Sequence, residues 1–502
     1  MGNKLPWILG VGAAAGGLTA GYLVGKKSAG VKKPQGKALT GNGHLDSPKH
    51  KRSQPTSDKP VVIVGGGNAG LAAAYELEKA GVDYVLYEAS DRLGGRVGLV
   101  HVGEYEYATG AGFTEPQWKK TFEYLNEFGM MDKVHRIDRQ VYGFWYKGKV
   151  HYIPVGGKMN LNQLRQMLSF RGLPLGIIPQ FIKFLPHFLK YTRGIDESHD
   201  FSSLAELSAM STAEFGLKYG GEDVVDRVMT PFLGTMVLTN AGQVSIAHPI
   251  ALMSLMQGMC SIDGGLSSIN DEIIKRVGQN CQLNTPVKRV VIEDGIVKGV
   301  ELADEFVEAD QVVLAVDAEV ALSIAPDLPA SMADPLATCK YSSSWNYIIG
   351  VEKGVTPDDF LAVFIPGSED SILTTVFDEN GCLKNNPAGS SVLHAFTAGW
   401  HDDELNAMTK EERDRAVIKE VQKFFPDVPD EPVFVHSIRY DRAINLEKPG
   451  QYVAIQDLLK NHFNDVRGLH LAGEYLFLIA CTEGAWSTGA DAGLAVVDEL
   501  WY

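Results

Sequence analysis

A glycine-rich turn between a short apolar run and a helix-like stretch constrains the fold more than any other feature of this sequence. The run Val61–Val64 is wholly apolar, as expected of a parallel strand buried on both faces. Gly65, Gly67 and Gly70 follow at G-x-G-x-x-G spacing, and a second apolar strand is predicted at Tyr84–Tyr87 after a helix. This strand–glycine turn–helix–strand order predicts a Rossmann-type α/β unit that binds a dinucleotide.

Each residue type in this unit has a physical role. The first glycine allows the tight turn, the second lets backbone approach a pyrophosphate, and the third lets helix and strand pack closely. The helix N-terminus offers free N–H groups to phosphate oxygens. Glu88 lies 18 residues after Gly70 and can accept hydrogen bonds from a ribose diol. The cofactor-binding residues predicted here are Gly65, Gly66, Gly67, Asn68, Ala69, Gly70, Glu88 and Ala89.

A second glycine-rich segment closes the chain. Leu469–Ala472 is predicted to be a strand, Gly473 a turn with Glu474 beside it, and the chain from Gly484 onward a helix rich in small residues. Small residues at a helix start let backbone lie against a flat ring, and the helix dipole would stabilise negative charge on that ring. The alternative is an ordinary closing helix packed on the sheet.

Three motifs resemble the amine-oxidase-like flavoprotein superfamily. They are Asp91–Arg96 (DRLGGR), the LAGEY that contains Gly473, and EGAWSTGADAG from Glu483. The resemblance implies FAD as cofactor and spans residues 60–502. It adds the following cofactor-binding residues: Gly95, Arg96, Val287, Gly473, Glu474, Gly484, Ala485 and Trp486.

Within that superfamily the chain looks most like the protoporphyrinogen oxidase and carotenoid desaturase branch, through residues 211–248 and 439–451. Amine oxidases of the superfamily usually carry a lysine beside the flavin, and Asn346 aligns with it here. The resemblance implies dehydrogenation of a lipophilic isoprenoid, carotenoid or porphyrinogen by hydride transfer to flavin N5. The electron acceptor, oxygen or a quinone, and the catalytic residues stay open. A flavin amine oxidase, an FAD-dependent isomerase without net oxidation and a non-catalytic membrane scaffold are the alternatives.

The N-terminal region differs from the rest in charge and hydropathy. Residues 6–25 carry no charge and would span about 30 Å as a helix, enough to cross a bilayer. They predict a single-pass anchor, the alternative being a cleaved signal peptide. Residues 26–58 predict a flexible basic tether, whose lysines favour a cytoplasmic body. The apolar and basic stretch Phe170–Tyr191 could lie on a membrane, frame an apolar entrance or pack in the core.

Charge and cysteine usage narrow the function further. The net charge is −16, and residues 1–60 hold ten basic against two acidic residues, so the remainder carries −24. Such a body is a poor binder of nucleic acid. The five cysteines have no C-x-x-C spacing and the histidines no metal spacing, so neither a disulfide framework nor a metal site is expected.

The sequence thus predicts an α/β fold: a Rossmann-type FAD-binding domain with an interleaved α+β substrate domain, preceded by one membrane helix. The predicted segments are the anchor (1–25), the tether (26–58), the FAD-binding domain (59–135, 263–325 and 466–502) and the substrate domain (136–262 and 326–465).

Overall fold

The computed structural model describes residues 57–156, 165–166, 169–192, 195, 200–256, 258–381 and 386–501. The predicted anchor, residues 6–25, and the tether up to residue 56 lie outside these ranges. Within them, no helix combines the length and the apolar character needed to cross a bilayer. Ser57, at the end of the predicted tether, already contacts the folded body, because its hydroxyl donates to Asp310 Oδ2 at 2.7 Å.

The strands and helices alternate along the whole described chain. The strands are β1 (Val61–Val64), β2 (Tyr84–Tyr87), β3 (Leu99–Val102), β4 (Tyr105–Ala108), β5 (Val134–Ile137), β6 (Arg139–Tyr146), β7 (Lys149–Gly156), β8 (Met259–Ile262), β9 (Cys281–Gln282), β10 (Arg289–Glu293), β11 (Ile296–Glu301), β12 (Phe306–Glu308), β13 (Val312–Leu314), β14 (Ser344–Val351), β15 (Phe360–Phe364), β16 (Leu373–Asp378), β17 (Ser391–Thr397), β18 (Phe434–Tyr440) and β19 (Leu469–Leu471). The α-helices are α1 (Asn68–Ala80), α2 (Lys119–Glu127), α3 (Ile177–Tyr191), α4 (Thr212–Tyr219), α5 (Glu222–Val224), α6 (Thr230–Met236), α7 (Ala247–Leu255), α8 (Ser267–Val277), α9 (Ala318–Ile324), α10 (Ala330–Thr338), α11 (Asp402–Ala407), α12 (Lys410–Phe424), α13 (Gln451–Asp457) and α14 (Thr482–Trp501).

A parallel sheet with the order β19-β13-β1-β2-β9 forms the centre of the first structural unit. All four side chains of β1 are buried, which explains why that strand is apolar throughout. The sheet is assembled from chain segments far apart in sequence, since β1 and β2 come first, β9 and β13 follow, and β19 comes last. The predicted α/β class and its parallel sheet are therefore present.

The first and last helices of the described body pack directly against each other. A Cβ at Gly489 of α14 would lie 2.1 Å from the carbonyl oxygen of Ala69 in α1, and one at Gly493 would lie 2.8 Å from that of Ala73. Only glycine permits this approach. Gly489 and Gly493 thus serve helix packing, which is the alternative that the sequence left open for this helix.

A seven-stranded sheet with the order β18-β14-β17-β16-β15-β6-β7 forms the second unit. Neighbouring strands of this sheet are antiparallel, except that β15 and β6 pair in parallel. Its strands come from the two stretches predicted to form the substrate domain, and helices α3, α4, α6 and α7 pack in a core on its side. The exact domain limits stay a prediction.

Helix α3 runs without a break through Pro179 and Pro186. Pro179 lies in the first turn, where its missing N–H costs no hydrogen bond. One face buries Ile177, Phe181, Phe184 and Phe188 in the core. The opposite face is exposed, and Ile182 on it is 68% exposed.

Candidate active site

A cavity of about 680 Å³ lies between the parallel sheet and the seven-stranded sheet. Its volume is within the range of roughly 300–1,000 Å³ typical of ligand and cofactor sites. The residues that follow β1, β2, β13 and β19 all line it, including Gly65, Glu88, Val316 and Glu474. Ligands of open α/β sheets bind at this carboxyl edge, where strand order reverses on either side of β1.

The glycine turn places an uncapped helix end against the cavity. Gly65 has a φ of 102°, a conformation that favours glycine, and its N–H donates to Tyr87 O at 2.9 Å. Gly67 is the N-cap of α1 and has no side chain to satisfy the first N–H groups of the helix. A Cβ at Gly67 would meet no atom within 4 Å, so the space beside it is open. The turn therefore leaves N–H groups and room for an anionic group.

Gly70 has a different function from Gly67. A Cβ there would lie 1.9 Å from the carbonyl oxygen of Gly65, so the third glycine allows helix α1 to pack against the turn. Gly70 does not line the cavity, and neither does Gly66. Gly66 instead donates its N–H to Glu88 Oε2 at 2.7 Å, which ties the turn to the end of β2.

Glu88 is the acidic residue predicted to meet a ribose. It lines the cavity next to Ala89, and its Oε1 accepts from the N–H of Ser90 at 2.8 Å and from the Ser90 hydroxyl at 2.6 Å. These bonds fix the direction of the carboxylate. Val287 lines the same end of the cavity, and Thr285 just before it donates its N–H to Glu88 O at 2.8 Å.

An ion pair joins the two halves of the predicted cofactor site. Arg96 Nη2 lies 2.6 Å from Glu474 Oε1, and Arg96 Nη1 donates to Ala443 O at 2.8 Å. Burial by itself would lower the pKa of Arg96, but the charge and hydrogen bond of Glu474 outweigh it, so the net shift is upward. Both residues line the cavity together with Gly95 and Gly473.

The closing helix contributes less to the cavity than its motif suggests. Thr482 and Ala485 line it, but Gly484 and Trp486 do not. Trp486 is fully buried, donates its Nε1–H to Asn270 at 3.2 Å and meets the ring of Tyr124 edge to face. Successive helix residues are about 100° apart, so the residue after Ala485 points away from the cavity and into the helix core. The assignment of the Trp486 side chain to the cofactor is therefore corrected.

Glu483 does not line the cavity either, and its carboxylate instead binds the start of α2. Its carboxylate accepts from the N–H groups of Lys120 and Thr121 at 2.8 and 2.9 Å, and from the Thr121 hydroxyl at 2.9 Å. These are the first residues of α2, so Glu483 joins the N-terminal ends of α2 and α14. Gly484 allows the close approach of Phe477, whose Cβ would lie 2.8 Å from an added Cβ.

The end of the cavity away from the glycine turn is largely apolar. It is formed by helices α6 and α7, by strands β16 and β17 and by the turn before α14. Its apolar residues are Phe113, Trp118, Met236, Val237, Leu238, Leu252, Met256, Phe377, Phe396, Ile444 and Ile479.

Two histidines at the cavity were not predicted to be functional. His394 on β17 places Nε2 2.9 Å from Glu379 Oε2, and its Nδ1 lies 3.2 Å from Asn346 Nδ2. Asn346 also donates to Thr109 O at 3.0 Å, so the residue aligned with the amine oxidase lysine is a buried member of this polar array. His248 on α7 lines the cavity as well, and burial lowers its pKa to about 4.

The sequence signal for these groups was weak. A histidine in a strand or in an apolar helix usually has a structural role, and only the fold brings His394 next to Glu379. His248 is the titratable residue of an apolar helix, which is a signal in the sequence, yet its proximity to the cavity depends on tertiary packing.

The sequence profile of the flavin containing amine oxidoreductases matches residues 68–496, most of the chain, and the chain belongs to this family. It is an FAD-dependent oxidoreductase. The open space beside Gly67, the uncapped end of α1 and the oriented Glu88 carboxylate fit the phosphate and ribose groups of FAD.

Individual relatives are distant. The 4,4'-diaponeurosporene oxygenase of Staphylococcus aureus strain MRSA252 is 25% identical over 284 residues, which is 51% of this chain and 55% of that protein. Protoporphyrinogen oxidase 2 of Arabidopsis thaliana is 26% identical over 196 residues, 39% of this chain and 36% of that protein. The chain thus matches about half or less of the length of these relatives.

Solved structures share the fold. Cyclohexylamine oxidase from Brevibacterium oxydans IH-35A superimposes with a TM-score of 0.69, covering 88% of this chain and 99% of that one at 20% identity. This likeness supports the fold assignment and leaves the substrate open.

Proposed function

We propose that the protein dehydrogenates a lipophilic substrate of the isoprenoid, carotenoid or porphyrinogen type. The observation that carries the proposal is the apolar end of the cavity, which is continuous with the glycine turn that would hold the FAD. Apolar walls favour a hydrocarbon substrate and exclude water from the reacting carbon. The relatives named for carotenoid and porphyrinogen chemistry agree with this substrate class.

When bound, FAD supplies the oxidising power for breaking a C–H bond. The protein's own residues supply position and electrostatics. Thr482 and Ala485 place the N-terminal end of α14 at the cavity, where the helix dipole stabilises negative charge. The Arg96–Glu474 pair holds the cofactor-binding end in place, and the walls built from Leu252, Phe377 and Phe396 align an apolar substrate.

The polar array on the sheet provides a place for the proton that dehydrogenation releases. Since Asn346 donates to His394 Nδ1, the imidazole proton is assigned to Nε2, facing Glu379. Glu379 Oε1 also accepts from the Ala108 N–H at 2.7 Å. His394 and Glu379 both line the cavity. Since both ring nitrogens of His394 are engaged, the Glu379 carboxylate is the group of this pair that can accept a proton from the substrate end.

The test is anaerobic bleaching of the bound flavin against amines, isoprenoid or carotenoid precursors and porphyrinogens. Rapid bleaching by an apolar compound and none by amines is the expected result. Bleaching by primary amines or polyamines alone would assign the protein to the amine oxidases. Turnover of an apolar compound without any electron acceptor would indicate an isomerase, and a flavin that no extract bleaches would indicate a non-catalytic protein.

We also propose that the protein acts at a membrane. The exposed face of α3 combines Ile182 with Lys183 and Lys190, and Leu175 just before the helix is 75% exposed. Apolar and basic side chains on one face suit an anionic bilayer surface. The proposed topology is a single-pass anchor at residues 6–25 with the catalytic body in the cytoplasm.

The membrane proposal is tested by cell fractionation of a chain that lacks residues 1–56. This deletion keeps Ser57 and Lys59, which contact Asp310. The truncated protein should retain FAD and leave the membrane fraction. A truncated protein found wholly in membranes would assign the attachment to α3, and Ile182→Ser in the same chain would then release it.

A further inference from the structure

His248 is the polar residue of the cavity that the proposed chemistry leaves unexplained. It is 1% exposed, and neither Nδ1 nor Nε2 has a hydrogen-bond partner among the described residues. Leu252 follows four residues later on the same face of α7, Met256 comes directly after the helix, and all three line the cavity. Buried polar groups nearly always have a hydrogen-bond partner, so a ligand in the cavity is the natural partner of this imidazole.

The protonation state defines what His248 can bind. Burial lowers its pKa to about 4, so the ring is neutral at physiological pH. A neutral imidazole offers one N–H donor and one acceptor nitrogen. A hydroxyl group satisfies either nitrogen, and a carbonyl oxygen accepts from the N–H.

Beyond the glycine turn that receives the cofactor phosphates, the charges of the cavity argue against an anionic substrate. Among the described residues that line it, Arg96 is the only arginine and there is no lysine. Arg96 is bound to Glu474 and Ala443 at the cofactor end. Acidic residues, including Glu115 and Glu379, line the cavity as well. A buried carboxylate without a cationic partner is strongly disfavoured.

We infer that the substrate is a neutral, mainly hydrocarbon molecule with one hydroxyl or carbonyl group, which His248 hydrogen-bonds. This inference rests on the proposed function and narrows it. It favours isoprenoid alcohols, aldehydes or ketones over porphyrinogens, because porphyrinogens carry propionate carboxylates. His248 then determines specificity through its hydrogen bond to that group.

The experiment compares three probes of equal chain length: geranylgeraniol, the corresponding hydrocarbon and the corresponding carboxylic acid. Dissociation constants are measured by equilibrium dialysis against the FAD-loaded protein in a fixed detergent. In the wild type, geranylgeraniol should bind more tightly than the acid. In the His248→Leu variant, the ratio of the alcohol's dissociation constant to that of the hydrocarbon should rise about tenfold, as expected for one lost neutral hydrogen bond.

Two further variants make the comparison specific. His248→Gln keeps a donor and an acceptor and should restore most of the wild-type ratio. Leu494→Ala, at a 48% exposed position of α14 outside the cavity lining, is the control and should leave the ratio as it is. Each probe partitions into the detergent to the same extent with every variant. This partitioning therefore cancels when the ratio is compared between proteins.

An unchanged ratio in His248→Leu, or tighter wild-type binding of the acid than of the alcohol, would overturn the inference. Flavin bleaching is recorded separately with the same alcohol. Bleaching without a shift in the ratio would refute the role of His248 and leave the proposed function standing. A shifted ratio without bleaching by any apolar compound would refute the proposed function and keep the contact with His248.

Discussion

Three glycines within six residues perform three separate tasks, and only one of those tasks concerns the ligand directly. Gly65 adopts a positive φ, Gly70 allows contact between two backbones, and Gly67 borders open space. The backbone of Gly67, with φ −74° and ψ −175°, is accessible to any residue. Its lack of a side chain therefore matters for what enters the cavity, and the fold does not require it.

The two alanine variants Gly67→Ala and Gly70→Ala should therefore fail in different ways. Stripped of FAD, Gly67→Ala should melt at about the same temperature as the wild-type apoprotein, but it should release FAD more readily, because the methyl group occupies space beside the helix end. Gly70→Ala should lower the melting temperature by overpacking, at a cost of about 1–3 kcal/mol. Thermal denaturation and FAD content of the purified proteins check both. Equal losses of stability in the two variants would contradict this division of tasks.

Glu88 combines a contact with the cofactor and a contact with the loop. Glu88→Ala should weaken FAD retention by about 1.5–3 kcal/mol, the value of a hydrogen bond to a charged group. It also removes the acceptor for Gly66 N–H and Ser90 N–H. Glu88→Gln keeps one oxygen and the side-chain length, so it should retain more FAD than Glu88→Ala. Fluorescence titration with FAD measures both, and unchanged affinity in both would remove Glu88 from the site.

At the scale of elements, the contact between α1 and α14 holds the two glycine-rich motifs together. Each helix begins at the cavity, α1 with Asn68 and α14 with Thr482. Their close packing sets the separation of the two helix ends, and so the spacing of the groups that meet the cofactor.

Replacing Gly489 by alanine should disturb this spacing. The new methyl group would lie 2.1 Å from Ala69 O, so the helices must move apart, at a cost of about 1–3 kcal/mol. We expect a lower urea midpoint together with weaker FAD binding. Leu494→Ala is the matched control, since Leu494 is 48% exposed on the same helix and its loss should cost no more than about 0.5 kcal/mol. Equal effects of the two variants would contradict the role of the contact.

The elements that the sequence predicts best are those with local signals. The observed β1 and β2 match the predicted strands, and α1 lies between them, where a helix was predicted. The direction in which a helix side chain points was harder to predict from the sequence. Ala485 and Trp486 are adjacent in one motif, yet only packing against Tyr124 and Asn270 decides which of them faces the cavity. The polar array could not be predicted for the same reason. Asn346 and His394 lie on paired strands, and Glu379 directly follows a third strand of the same sheet.

At the scale of the whole molecule, the cavity depends on both sheets at once. Its cofactor end uses the carboxyl edge of the parallel sheet, and its apolar end uses β16, β17 and helices α6 and α7. The family resemblance implied this interleaving. Composition and periodicity alone could not have shown it, since they do not reveal which distant strands share a sheet.

Because FAD binds only the folded arrangement, its removal should destabilise the entire protein. At a free FAD concentration 100 times the dissociation constant, the stabilisation is about 2.7 kcal/mol. Protein stripped of FAD should melt at a lower temperature and regain stability on titration with FAD. FMN is the control, since it lacks the adenosine half that would lie near Glu88 and Val287. Equal stabilisation by FMN would contradict the assignment of that end of the cavity.

The contact between α1 and α14 also has a consequence for biosynthesis. The strand β1 and its glycine turn leave the ribosome about 400 residues before β19 and α14. At roughly 5–20 residues per second, tens of seconds separate these events. During that interval the nascent chain exposes half a cofactor site and an uncovered sheet edge. The cofactor site is therefore complete only once α14 has been synthesised, and a chain lacking this helix should be a substrate for chaperones and proteases instead of a weakened enzyme.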